Sequence, residues 1–132
     1  MLRTTGLVLA LGLAAGAAAA QDDQARMILD MTRDNWVAVR DWDGQDLLYF
    51  THLESYRCNI AAVDIAVNGQ KATRWGLAPC DTPGALFAPL PSEHLPYASY
   101  PQGSIAHVVV RLTWPDGTAA WAAFSRDQIE MP

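Results

Sequence analysis

Few residues in this chain have the types and spacing that chemistry needs, and the first to weigh are Cys58 and Cys80, its only cysteines. A metal centre built on them would require more ligands at useful spacing, such as a C-x-x-C pair or two histidines one turn apart on a helix. His52, His94 and His107 stand far apart, and nothing in the pattern makes them converge. Thioredoxin-like redox work needs C-x-x-C at the start of a helix, and that motif is absent. The run Asp41-Trp42-Asp43-Gly44-Gln45-Asp46 has the acidic alternation of a calcium loop. However, the EF-hand pattern wants glycine sixth and glutamate twelfth, whereas here glycine is fourth and His52 twelfth. It reads as an exposed turn.

His52 and Glu54 are two apart, which on a strand places them on one face, and a histidine–carboxylate pair in a cleft can do general acid–base work. Exposed strand positions produce such pairs routinely. The chain has no G-x-S-x-G elbow, P-loop, H-E-x-x-H or G-x-G-x-x-G. Its serines have no local nucleophile context. The expectation is a non-catalytic protein with no cofactor and no metal.

The cysteines then become a question of architecture. Opposite residues of a hairpin have position numbers with a constant mean, and 58 and 80 average to 69, where Asn68-Gly69 supplies a turn. A chain reversal there sets Cys58 opposite Cys80, provided the turn has three residues or one bulge, both of which glycine permits. This predicts a Cys58–Cys80 disulfide. Closing a loop of that length stabilises a small domain by roughly 3 kcal/mol.

The elements around the cysteines read as strands. In NWVAVRDW, Trp36, Arg40 and Trp42 fall on one parity and Val37 and Val39 on the other. Asp43-Gly44 turns the chain into LLYFTHLESYRC, a long run of β-formers. NIAAVDIAV, with Ala61, Val63, Ile65 and Val67 inward, and KATRWGLAPC follow as the third and fourth strands. SIAHVVVRLTW, with Ala106, Val108, Val110 and Leu112 inward, and AAWAAFSR flank the turn Pro115-Asp116-Gly117-Thr118. The pattern predicts an all-β fold, a small antiparallel β-sandwich of about six to seven strands with immunoglobulin or fibronectin III-like architecture. The immunoglobulin cysteine signature is not met, because 22 positions separate the pair.

Before the strands, residues 1–20 carry one cation, Arg3, then an apolar stretch from Gly6 to Ala20 that ends in small residues. This is the pattern of a secretory signal peptide cut after Ala20. The stretch is short for a membrane span and fades into alanine. No cysteine near the cut could take a lipid. Residues 21–34 have Ala25, Ile28, Leu29 and Met31 at helical spacing behind Asp22-Asp23, and residues 35–132 form the single sandwich domain. Loss of Arg3 with the leader takes the net charge from −5 to −6, which disfavours nucleic acid and anionic lipid as partners. The expected location is periplasmic or secreted, with no stable membrane insertion after cleavage.

Residues 81–103 hold five of the eight prolines. Proline removes main-chain donors, so an extended excursion is expected there in place of a central strand. A loop this long and this apolar in a compact domain is usually functional. Phe87, Leu90, Leu95, Tyr97 and Tyr100, with Trp42 from the aromatic surface, are the expected contact residues. They point to a binding or accessory protein of the bacterial envelope that meets a protein or envelope polymer through residues 83–101. The alternative is a proteinaceous inhibitor of a secreted hydrolase, which would use the same rigid loop.

Overall fold

A computed structural model describes residue 16 and residues 20–132. Most of the expected signal peptide lies outside the described residues. Among the described residues, no helix is long and apolar enough to cross a membrane.

Residues 20–31 form helix α1, which buries Ala25 and Leu29 and turns Arg26 outward to Asp116 (2.8 Å) and Thr118 (2.6 Å). A 3-10 turn at Arg33–Asn35 then sinks Trp36 into the core, where its indole N–H donates to the Leu29 carbonyl at 2.8 Å. Strand β1 (Ala38–Trp42) pairs with β2 (Gln45–Tyr49) across Asp43-Gly44, both at positive φ (52° and 75°). Two successive left-handed residues give the tight hairpin turn whose twist matches the strands.

From β2 the chain passes through α2 (Thr51–Ser55) and a 3-10 turn (Arg57–Asn59) into β3 (Ala62–Val67). After β3 come β4 (Thr73–Trp75), β5 (Tyr97–Pro101), β6 (His107–Thr113), β7 (Ala119–Ser125) and the short helix α3 (Arg126–Ile129). The strands make two antiparallel sheets, ordered β1-β2-β5 and β4-β3-β6-β7. This is a mostly β chain with few helices, as a small β-sandwich requires.

Val39 and Leu48 of the first sheet share one apolar cluster with Val63, Ile65, Val108, Val110, Leu112 and Phe124 of the second, closed by Trp36, Phe50, Leu53 and Trp114. Each such side chain contributes about 1.5–3 kcal/mol on burial. A charge is admitted at the edge of this core, the last acid of the run 41–46 expected as an exposed turn. Asp46 is fully buried and accepts from Arg126 (2.6 and 3.1 Å) and from the main-chain N–H groups of Gly103 (3.0 Å) and Ile105 (3.1 Å). The Arg126 hydrogen bond, helped by the two amides, holds its carboxyl well below the usual carboxylate range.

The structure corrects several sequence expectations. The fourth strand, expected over KATRWGLAPC, is only Thr73–Trp75, and the rest of that run has no regular element. The run LLYFTHLESYRC is a strand only to Tyr49, because the chain must leave one sheet for the other and does so through α2 and the 3-10 turn. Trp36 does not share the outer face of Arg40 and Trp42; it precedes β1, so strand parity does not reach it. Ala61 likewise precedes β3 and Ala106 precedes β6, and both are exposed in place of facing inward. The proline-rich stretch ends in a true strand, β5, which tolerates Pro101 because it lies at a sheet edge.

Candidate functional site

Between β4 and β5 the chain runs through residues 76–96 with no regular element, and it is fastened to the six residues Glu54 to Asn59. Arg57 is almost fully buried. Its Nε donates to the Pro79 carbonyl (3.0 Å), Nη1 to the carbonyls of Glu54 (3.1 Å) and Ala88 (3.0 Å), and Nη2 to the Pro89 carbonyl (3.0 Å) and to Asp81 (3.2 Å). Asn59, also buried, gives its amide N–H groups to the carbonyls of Ala85 (3.1 Å) and Leu86 (3.2 Å). The Ala88 amide donates to the Ser55 carbonyl at 2.8 Å. Cys58 and Cys80 form a disulfide, with Cα atoms 5.0 Å apart.

The chemistry of proline explains this arrangement. A proline-rich segment cannot pair as a sheet because its donors are missing, yet its carbonyls still need partners when they turn inward. Arginine meets that need best, since its planar group carries five N–H donors in a fixed fork. Positioned by α2 and the 3-10 turn, the Arg57 fork ties the start of the loop, at Pro79 and Asp81, to its middle, at Ala88 and Pro89.

Glu54 completes the clamp. It has no exposed surface, accepts from the Ala78 N–H (3.0 Å) and the Trp75 indole N–H (3.0 Å), and lies 2.6 Å from His94 Nε2. The Trp75 ring stacks on Phe50 with centroids 4.1 Å apart, and its other edge meets His94. His94 has a side chain 23% exposed and Trp75 is also partly exposed, whereas Ala78 is buried. A buried carboxylate bound by three donors orients what it touches; here that is the start and the end of the loop.

The expected contact residues are dispersed. Phe87 (59% exposed) and Leu95 (62%) project from the clamped loop, with the edge of Phe87 against Tyr56 at 5.9 Å; Leu90 is half-buried beside them in sequence. Tyr97 rests against Tyr49 at 5.2 Å. Tyr100 packs against the core, where burial pushes its hydroxyl pKa up. Trp42 is exposed under the Arg40 guanidinium, at the Gln45–Pro101 end of the first sheet, away from the Tyr49–Tyr97 end where the loop arrives.

His52 and Glu54 do not share a face. They lie on α2, where two residues turn the chain through slightly more than a half circle, so Glu54 points inward while His52 turns to Thr32 on the far side. Arg57, Asn59 and His94 were not legible as a site because their partners are main-chain carbonyls or a buried acid far away in sequence. The available signal was indirect: five prolines in one stretch leave carbonyls to satisfy, and Arg57 stands beside the cysteine that brings that stretch near.

Among the described residues, no three His, Cys, Asp or Glu side chains converge as a metal site. No protein-family model, curated protein or solved structure matches the chain.

Proposed function

We propose that this chain is an exported, non-catalytic binding protein of the bacterial envelope, which meets a protein or envelope polymer through the loop over residues 83–101. One observation carries the reading. The loop is ordered in advance by Arg57, Asn59 and the Cys58–Cys80 bridge, yet it leaves Phe87 and Leu95 in solvent. A segment already fixed loses little conformational entropy on binding, and exposed apolar side chains on a rigid support are what interface anchors are made of. The disulfide and the leader-like first twenty residues support export to the periplasm or beyond.

The finer architecture belongs to the same reading. With β1 to β7 lettered A to G in chain order, the sheets are A-B-E and D-C-F-G, which differ from the immunoglobulin constant arrangement only in the sheet joined by the fourth strand. That supports an immunoglobulin or fibronectin III-like sandwich. A second reading, an inhibitor of a secreted hydrolase, is favoured by the same pre-ordered loop.

The test uses the wild-type chain and the double variant Phe87→Ser, Leu95→Ser, which leaves the clamp untouched. Both are immobilised and exposed to envelope extract, and both are added to wall-degrading and proteolytic enzymes. The expected outcome is a bound species that the wild type retains and the double variant loses. Dose-dependent inhibition of an enzyme would favour the second reading. Equal retention by both proteins would defeat the loop as the contact.

A further inference from the structure

On the other side of α2 lies a cleft of about 520 Å3. Its walls come from the 3-10 turn at Arg33–Asn35, the start of β1, the end of β2, the first turn of α2 and residues 128–132. The volume falls in the range of small-ligand sites.

The chemistry inside is one-sided. His52 lines the cleft, and its Nε2 stands 2.8 Å from the Thr32 hydroxyl oxygen. That hydroxyl has one proton, which it gives to the Ile28 carbonyl at 2.7 Å. Nε2 is therefore the donor in the His52–Thr32 contact and carries the ring proton. Burial lowers the His52 pKa below its ordinary 6.5, so at neutral pH the ring is uncharged and Nδ1 keeps its lone pair. Among the described residues Nδ1 has no hydrogen-bond partner. The carboxylates of Asp34 and Glu130 line the same space, Glu130 sharing its charge with Arg126 at 3.4 Å, and no lysine or arginine does. Val37, Tyr49, Ile129 and Met131 supply apolar wall.

A neutral acceptor, two acids and an apolar wall are complementary to one ligand chemistry. We propose that this cleft binds an organic cation, an ammonium or guanidinium group on an aliphatic stem, with His52 Nδ1 accepting from it and Asp34 and Glu130 supplying the opposing charge. A free amine and the side chain of a lysine or arginine in a peptide share that chemistry. The apolar wall takes the stem and the acceptors take the head. This site is independent of the loop reading above.

The test is an NMR titration of the full chain with agmatine, with an acetylated and amidated Gly-Arg-Gly peptide, and with butyrate as the stem of opposite charge. Expected are the Nε2–H tautomer of His52 before any addition, then saturable shifts at Thr51, His52 and Glu130 with agmatine or peptide and none with butyrate. Tighter binding of the peptide identifies a chain-borne side chain as the ligand, and tighter binding of agmatine a free amine; either upholds the site. Asp34→Asn, at an exposed position, and His52→Phe, which keeps a ring but no acceptor, should each weaken binding about tenfold, the size of one charge-assisted contact. Equal response to butyrate, absence of saturation, or an unchanged dissociation constant in Asp34→Asn would overturn the proposal.

Discussion

In β3, β6 and β7 alternate side chains such as Val63, Ile65, Val108, Val110, Leu112, Ala122 and Phe124 are buried, and each strand's main chain bonds to its neighbour. In the 76–96 loop neither condition holds. Ala78 and Ala88 are its buried residues, and most of its polar main-chain contacts go to side chains of Glu54, Arg57 and Asn59. One region is held by repetition, so that many modest contacts share the work; the other is held by a few side chains, each with several partners. The first should yield gradually to mutation and the second abruptly.

Arg57→Ala is the sharpest way to test that contrast. It strips donors from the carbonyls of Glu54, Pro79, Ala88 and Pro89 at once and should cost about 4 kcal/mol by urea unfolding. Leu112→Ala in the sheet should cost about 3 kcal/mol through its cavity. Limited proteolysis separates the two: cleavage within residues 79–95 under native conditions is expected for Arg57→Ala and not for Leu112→Ala. Arg57→Lys should resemble the alanine variant, since an ammonium lacks the fork.

Removing the bridge comes next. The double change Cys58→Ser, Cys80→Ser should cost roughly 3 kcal/mol, read as a lower Tm, while the loop stays protease-resistant at low temperature because Arg57 and Asn59 still hold it. Cleavage at low temperature would mean that the covalent bond alone orders the loop.

Acid probes the buried carboxylate outside the clamp. The folded pKa of Asp46 is depressed, so its contribution is complete above the ordinary 3.8 and is lost as pH falls through the folded value. His52 is also depressed: the unfolded chain takes a proton below 6.5 that the folded ring resists, so stability starts to fall there. Unfolding curves against pH should therefore show a shallow decline below 6.5, absent in His52→Phe. A steeper one of about 2 kcal/mol should follow below 3.8, largely absent in Asp46→Asn.

The smallest effect is expected at the β3–β4 turn. Gly69 has φ of 73°, and Gly69→Ala should cost about 1 kcal/mol with no change in loop protection.

The sheet region was the legible one. Alternation located β6 and β7, and Asp43-Gly44 the first hairpin, because period and turn chemistry are local properties. The disulfide was legible for a related reason: Val63–Trp75, Asp64–Arg74 and Ile65–Thr73 pair with the same mean position, Gly69, that matched Cys58 to Cys80. The ladder ends well before the cysteines, so the register holds beyond the strands that set it. The clamp was hidden because the run of β-formers stays a strand only to Tyr49 and then turns into α2 at Thr51, and propensity yields where the chain must change sheets. Arg57 carried no pattern of its own, since a carbonyl can belong to any residue.

The clamp grips carbonyls and leaves most of the loop's amides alone. Those of Ala78, Ala85, Ala88 and His94 are hydrogen-bonded, whereas those of Leu86, Phe87, Leu90 and Leu95 have no partner among the described residues, and Pro83, Pro89, Pro91 and Pro96 have no N–H at all. Hydrogen exchange and nanosecond relaxation should therefore disagree here: amides such as those of Phe87 and Leu95 would exchange with water almost at the rate of an open chain, while their order parameters stay close to those of the sheets. Solvent exchange would score as loose a segment that barely moves.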